Sequence, residues 1–150
     1  MTKRREESLG LLAKLADQRV VAAQRKLVEV QQAHAKLQDK AQKVAALMAD
    51  YRTQLQSVDE DPGMVKSQSI RRFIQNLLEV EARLALEHDQ TMAWERKVRE
   101  ELLAAQLEAK KMESLCERAK ARADEAAQKR EQGRLDAAGL SQFHLRTART

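Results

Sequence analysis

Apolar side chains recur from Leu9 to Val58 in alternating steps of three and four residues, and this spacing leaves the chain few folds to choose from. One row reads Ala13, Val20, Leu27, His34, Ala41, Met48, Leu55; the other reads Leu9, Ala16, Ala23, Val30, Leu37, Val44, Tyr51, Val58. Only His34 is polar. A 3.5-residue period keeps one narrow stripe turned towards a neighbouring helix, so the pattern predicts a coiled-coil seam.

A second run lies further along the chain. Ile70, Phe73, Leu77, Val80 and Leu84 hold the period, which weakens at Glu87 and Thr91, passes Trp94 and Val98, and resumes one residue out of phase at Leu102. Ala105, Ala109, Met112, Cys116, Ala119, Ala123 and Ala126 continue it. Such a phase change alters the supercoil locally. Between the runs stands Ser57-Val58-Asp59-Glu60-Asp61-Pro62-Gly63, the one stretch of turn-forming residues and the site of the only proline. Ser67 or Ser69 is placed to cap the second helix. The expected organisation is one all-α domain with a helix over about 5–57, a turn over about 58–68 and a helix over about 69–132. Gly133 and Gly139 each weaken a helix by ~1 kcal/mol, so 133–150 reads as a frayed tail.

One short turn makes each helix the other's nearest partner, giving a long antiparallel two-helix coiled-coil hairpin of about 80 Å at 1.5 Å per residue. Met48, Tyr51, Leu55, Phe73 and Leu77 lie towards the turn. Alanines line the opposite, open half, where small knobs permit close approach but bury little area. Charge is also uneven: residues 1–30 carry seven basic and four acidic side chains and residues 118–150 carry eight and four, against a net +5 for the chain. The hairpin gathers both basic segments at the open end, where they steer an acidic partner.

The composition excludes several alternatives. Four glycines and one proline are too few for a sheet protein's turns, and charged residues make up 34% of the chain. No apolar run approaches the ~18 residues of a membrane span, since Lys14 interrupts Leu9 to Ala16; a soluble protein without direct membrane insertion is expected. The single Cys116 has no internal disulfide partner, which fits a reducing compartment, and its seam position marks it as a small apolar side chain. His34, His88 and His144 are far apart in sequence, with no metal-ligand spacing, and His34 reads as a register-setting polar residue in the seam. No phosphate-cradling glycine loop and no nucleophile beside a base can be found, so neither a catalytic site nor a cofactor is expected. Lys and Arg are interleaved with Asp and Glu and lack stacking aromatics, which argues against nucleic acid. Tyr51, Phe73 and Trp94 sit at seam spacing, where packing competes with docking as their role.

Certain stretches resemble a known family. Leu9-x-x-Leu12-x-x-Leu15-Ala16-Asp17-x-x-Val20, Arg25 with Leu27, and Asp50-Tyr51-Arg52-x-x-Leu55 are succeeded after the turn by Phe73-Ile74-Gln75-x-Leu77-x-Glu79, then by Arg134-Leu135-Asp136. In order and spacing these resemble the FliJ family of flagellar type III export proteins, over nearly the whole chain. The Phe-Ile-Gln-x-Leu and Tyr stretches are the most specific.

The resemblance implies a non-enzymatic stalk, similar to the central shaft of rotary ATPases, in the cytoplasm and peripherally associated with the inner-membrane export apparatus. It implies three partners: the flagellar export ATPase ring, the export gate membrane protein and export chaperones. Tyr51, Phe73 and Leu77 match the family's gate-contact positions, and Val44 and Val80 occupy related ones. Leu47 and Leu84 stand where other members carry an aromatic residue and a histidine. For the ATPase, the slim basic open end supplies Leu9, Leu12, Lys14, Arg19, Arg118 and Arg122 as candidates. The alternatives are the stalk of a virulence type III secretion system and a hairpin holdase that grips unfolded clients through exposed apolar side chains.

Overall fold

The computed structural model describes residues 2–59 and 64–148, all of them helical. Two helices account for these residues: α1, Thr2–Asp59, and α2, Met64–Ala148. Both are longer than the sequence suggests. The expected turn residues Glu60, Asp61, Pro62 and Gly63 lie outside the described residues. Ser67 and Ser69 fall within α2 and not at its start; the Ser69 hydroxyl donates back to the Val65 carbonyl at 3.1 Å. α2 also runs through Gly133 and Gly139 to Ala148, where the sequence suggests fraying. The ~1 kcal/mol cost of each glycine is small beside the propensity of the surrounding Ala, Arg, Glu, Gln and Leu, so the helical hydrogen bonds continue.

The two helices pack antiparallel. Tyr51 meets Phe73, His34 meets His88, and Lys26 pairs with Glu101 at 3.7 Å, so partners climb α2 as they descend α1. The chain forms two compact units, one of residues 21–103 and one of residues 1–20 with 104–150.

In the unit of residues 21–103 the core is a single stripe. Ala23, Val30 and Met48 on α1 are buried, as are Leu77 and Val98 on α2, and Val30 and Val98 retain only 0% and 2% of their surface. Leu27, Leu37, Val44, Tyr51 and Leu55 are half-buried along the same face. The α1 stripe is the expected one, apart from Ala41, which is exposed. Val58 lies outside the residues whose side chains are described.

On α2 one covered row is not the one the sequence suggests: Ile74 is covered and Phe73 is exposed. Glu87 and Trp94 are exposed, and the covered positions from His88 to Leu102 are His88, Thr91, Met92, Glu95, Val98 and Leu102. Together with Ile70, Ile74, Leu77 and Leu84 these, apart from Met92, stand at heptad spacing, so the seam keeps one phase through Leu102, with Val80 covered in place of Glu81, and the shift expected after Val98 is not found. Two interactions make polar residues tolerable in that seam. The His88 ring packs on that of His34. The Glu95 carboxylate, only 17% exposed, accepts two hydrogen bonds from Arg99, at 2.9 Å from Nη2 and 3.2 Å from Nε. A charge-assisted two-point contact offsets the cost of partly desolvating the carboxylate.

In the unit of residues 1–20 and 104–150, Ala16 is the buried residue, flanked by half-buried Leu9, Ala13 and Val20 on α1. Ala105, Ala109, Met112, Cys116, Ala119 and Ala123 on α2 are likewise half-buried. Alanine-lined packing of this kind buries few methylenes, hence a thin core. Cys116 contributes a polar contact as well as volume: its thiol donates weakly to the Leu9 carbonyl at 3.4 Å. Residues 124–148 are exposed on every side.

Candidate functional site

Two surfaces gather the residues singled out in the sequence. The first belongs to the unit of residues 21–103. Seam spacing places Tyr51 on α1 and Phe73 on α2 opposite each other, with ring centroids 4.6 Å apart and planes inclined at 40°. Tyr51 is half-buried, whereas Phe73 leaves 43% of its surface in solvent. Leu77, one turn further along α2, is buried at 8%, and Val44 and Val80 are half-buried. Of these five, Phe73 presents the largest apolar surface to a partner, and Leu77 serves the packing beneath it. Exposed Leu47 and Leu78 add apolar area in the same unit.

Trp94 does not join that group. It is 42% exposed and lines a shallow groove with Lys36, Lys40, Glu87 and Gln90. The histidines also differ from the sequence reading, since the fold brings His34 and His88 to 5.1 Å between ring centroids. Sequence separation hides such a pair because the antiparallel register, and not proximity in the chain, creates it. Among the described residues no three His, Cys, Asp or Glu side chains gather as metal ligands.

The second surface belongs to the unit of residues 1–20 and 104–150. Where α1 begins, the apolar stripe of α2 continues without a helix over it, leaving an open groove of about 490 Å³. Leu9, Leu115, Ala119, Ala123 and Ala126 form its floor. Its rim carries Arg5, Arg118, Arg122 and Arg130 against the single carboxylate Glu6. The first turn of α1 adds positive potential, because it contains Lys3, Arg4 and Arg5 and no acidic residue where the helix dipole is already positive. An arrangement of this kind suits a segment that is apolar on one side and acidic at its edges.

The groove collects Leu9, Arg118 and Arg122 from the expected set, and leaves Leu12, Lys14 and Arg19 on exposed positions outside it. Arg5, Leu115 and Arg130 were not anticipated. A signal for one of them was present: Leu115 precedes Arg118 by three residues and so neighbours it on the helix surface.

Both surfaces fall within a span that known proteins share. The family model described as Flagellar FliJ protein matches residues 5–148, nearly the whole length of the chain. The chain belongs to the FliJ family. No curated protein and no solved structure is significantly similar to it. FliJ membership makes it a component of flagellar protein export. Among the described residues no helix of this FliJ protein is long and apolar enough to cross a membrane.

Proposed function

We propose that this FliJ protein is a non-enzymatic stalk that engages the flagellar export ATPase ring through the unit of residues 1–20 and 104–150. Through the unit of residues 21–103 it contacts the export gate membrane protein, and it also meets export chaperones. It acts in the cytoplasm, peripherally associated with the inner-membrane apparatus.

The observation that carries this reading is the arginine-rimmed groove over an uncovered stripe of α2. Four arginines against one glutamate supply attraction and orientation, while the alanine floor lets a partner approach closely. For the gate, support comes from Phe73, an exposed aromatic held in place by Tyr51, since apolar anchors of this type dominate protein interfaces. The flagellar family match favours the flagellar apparatus over a virulence one.

The test combines Arg118→Glu, Arg122→Glu and Arg130→Glu in one variant and measures stimulation of the purified export ATPase together with helicity by circular dichroism. Lost stimulation with intact helicity supports the stalk. Stimulation that is unchanged from low to high salt removes the proposed electrostatic role, because screening over about 8 Å at physiological salt must weaken it.

A further inference from the structure

We propose that Trp94 is a docking residue and that it receives an acidic amphipathic helix of the export gate protein, laid along the edge of the hairpin that carries Phe73. Resting on the gate contact proposed for Phe73, the docked helix extends that contact to Trp94, three heptads further along α2.

Register sets this edge within the unit of residues 21–103. Phe73, Val80, Glu87 and Trp94 follow one another on α2 at intervals of seven residues, and Leu47, Lys40, Ala33 and Lys26 descend α1 at the same interval. A seven-residue repeat stays on one side of a coiled coil. Lys26 and Glu101, the next step of the α2 row, meet at 3.7 Å and align the two rows, and Ala33, Lys40, Glu87 and Trp94 line one groove of about 410 Å³. Along about 30 Å, at 1.5 Å per residue, the edge offers Phe73, Leu47 with half-buried Val80, a polar step at Lys40 and Glu87, and then Trp94. Phe73, Leu47 and Trp94 keep 42–44% of their surface in solvent.

Trp94 is ill-placed for packing alone. The covered position is its neighbour Glu95, whose carboxylate has to be held by Arg99, while the indole stays largely in water. A covered carboxylate beside an exposed indole inverts the usual order of burial, and such a broken local rule marks a functional position. Tryptophan is also the side chain most enriched among interface anchors.

Charge selects the occupant. Lys36 and Lys40 line the groove from α1, and Arg83 and Lys97 stand seven residues to either side of Gln90, which lines it from α2. Among the described residues none of these four cations is in an ion pair. Glu87 is the single carboxylate lining the groove. The groove on the opposite edge is lined by Glu81 and Asp89 and by no lysine or arginine, so an acidic helix is drawn to the Trp94 edge and repelled from the other. A helix seated there as a third strand presents apolar residues at seven-residue steps to Phe73, Val80 and Trp94, a polar residue at Lys40 and Glu87, and carboxylates beside the lysines.

The test titrates the purified cytoplasmic segment of the export gate protein into the full chain. Because the chain has one tryptophan, fluorotryptophan labelling gives a single fluorine resonance that reports on position 94 alone. Calorimetry compares wild type, Trp94→Ala, Phe73→Ala and a Lys36→Glu, Lys40→Glu double variant, with circular dichroism confirming that each is folded. The expected result is a shifted Trp94 resonance in wild type, about tenfold weaker binding by Trp94→Ala, and a loss in the lysine variant that is largest at low salt. If Trp94→Ala loses helicity, the wild-type resonance and the lysine variant decide. An unmoved resonance, with affinity lost in Phe73→Ala and kept in Trp94→Ala, overturns the docking role of Trp94 and leaves the gate contact standing. Full affinity of the lysine variant at every salt concentration overturns the acidic helix. A wild type that does not bind the gate segment overturns the gate contact and the docked helix together.

Discussion

The Tyr51 and Phe73 rings meet across the hairpin at 4.6 Å between centroids and 40° of tilt, yet the two residues are unequally exposed. Tyr51 lies in the α1 stripe, whereas Phe73 sits at the edge of the α2 stripe with Ile74 and Leu77 covered beside it. The tilted pair fixes the ring of Phe73 while leaving much of it in solvent, which lowers the ordering cost of an encounter.

Phe73→Ala is therefore expected to weaken binding to the export gate protein severalfold, while costing the fold the aromatic pair, about 0.5–1.5 kcal/mol, and the area that the half-covered ring buries. Leu77→Ala should behave differently. Loss of a buried leucine costs about 2–5 kcal/mol and depresses every activity together. Gate pull-downs alongside urea melts separate the two; matched losses would mean that Phe73 only packs.

The groove floor gives a second handle. Ala123→Leu places a larger side chain between Leu115 and Ala126 without touching the arginines, and leucine is nearly as good a helix former as alanine. ATPase stimulation should fall severalfold at every salt concentration with helicity unchanged, in contrast to the salt-dependent loss from reversing the arginines.

Placement of Glu95 in the seam, with Trp94 outside it, predicts an asymmetric pair of substitutions. Glu95→Leu should stabilise the hairpin by about 1 kcal/mol, because an apolar residue replaces a partly buried charge whose partner Arg99 stays free to solvate. Glu87→Leu, at an exposed position, should be neutral to within about 0.5 kcal/mol. Urea midpoints give both values, and a reversed order would restore the phase expected from the sequence.

Gly133 and Gly139 lie inside α2 with open space where a Cβ would point. Each change to alanine should add about 0.5–1 kcal/mol of local helix stability, read as slower amide exchange between residues 130 and 145. Unchanged exchange would mean that glycine does not limit helix persistence there.

The α1 seam was legible in the sequence because a 3.5-residue period is a local property, and apolar side chains at that spacing have only one way to leave water together. The hairpin was legible for the same reason, with Asp61, Pro62 and Gly63 marking the interruption. The aromatic pair became legible once the register was fixed, since Tyr51 and Phe73 are nearly equidistant from that interruption. Family membership was carried by residue identities such as Phe73-Ile74-Gln75 and agrees with the matched family model. Tertiary structure decided the rest. The α2 seam passes through His88 and Glu95 because partners on neighbouring turns and on α1 make polar burial tolerable, and hydropathy along the chain cannot register those partners. It seated Leu77 in the core and left Phe73 outside, a distinction that depends on where each side chain points around one helix. It also brought Arg5 beside Arg118, Arg122 and Arg130, because a groove exists only where one helix begins and the other continues past it.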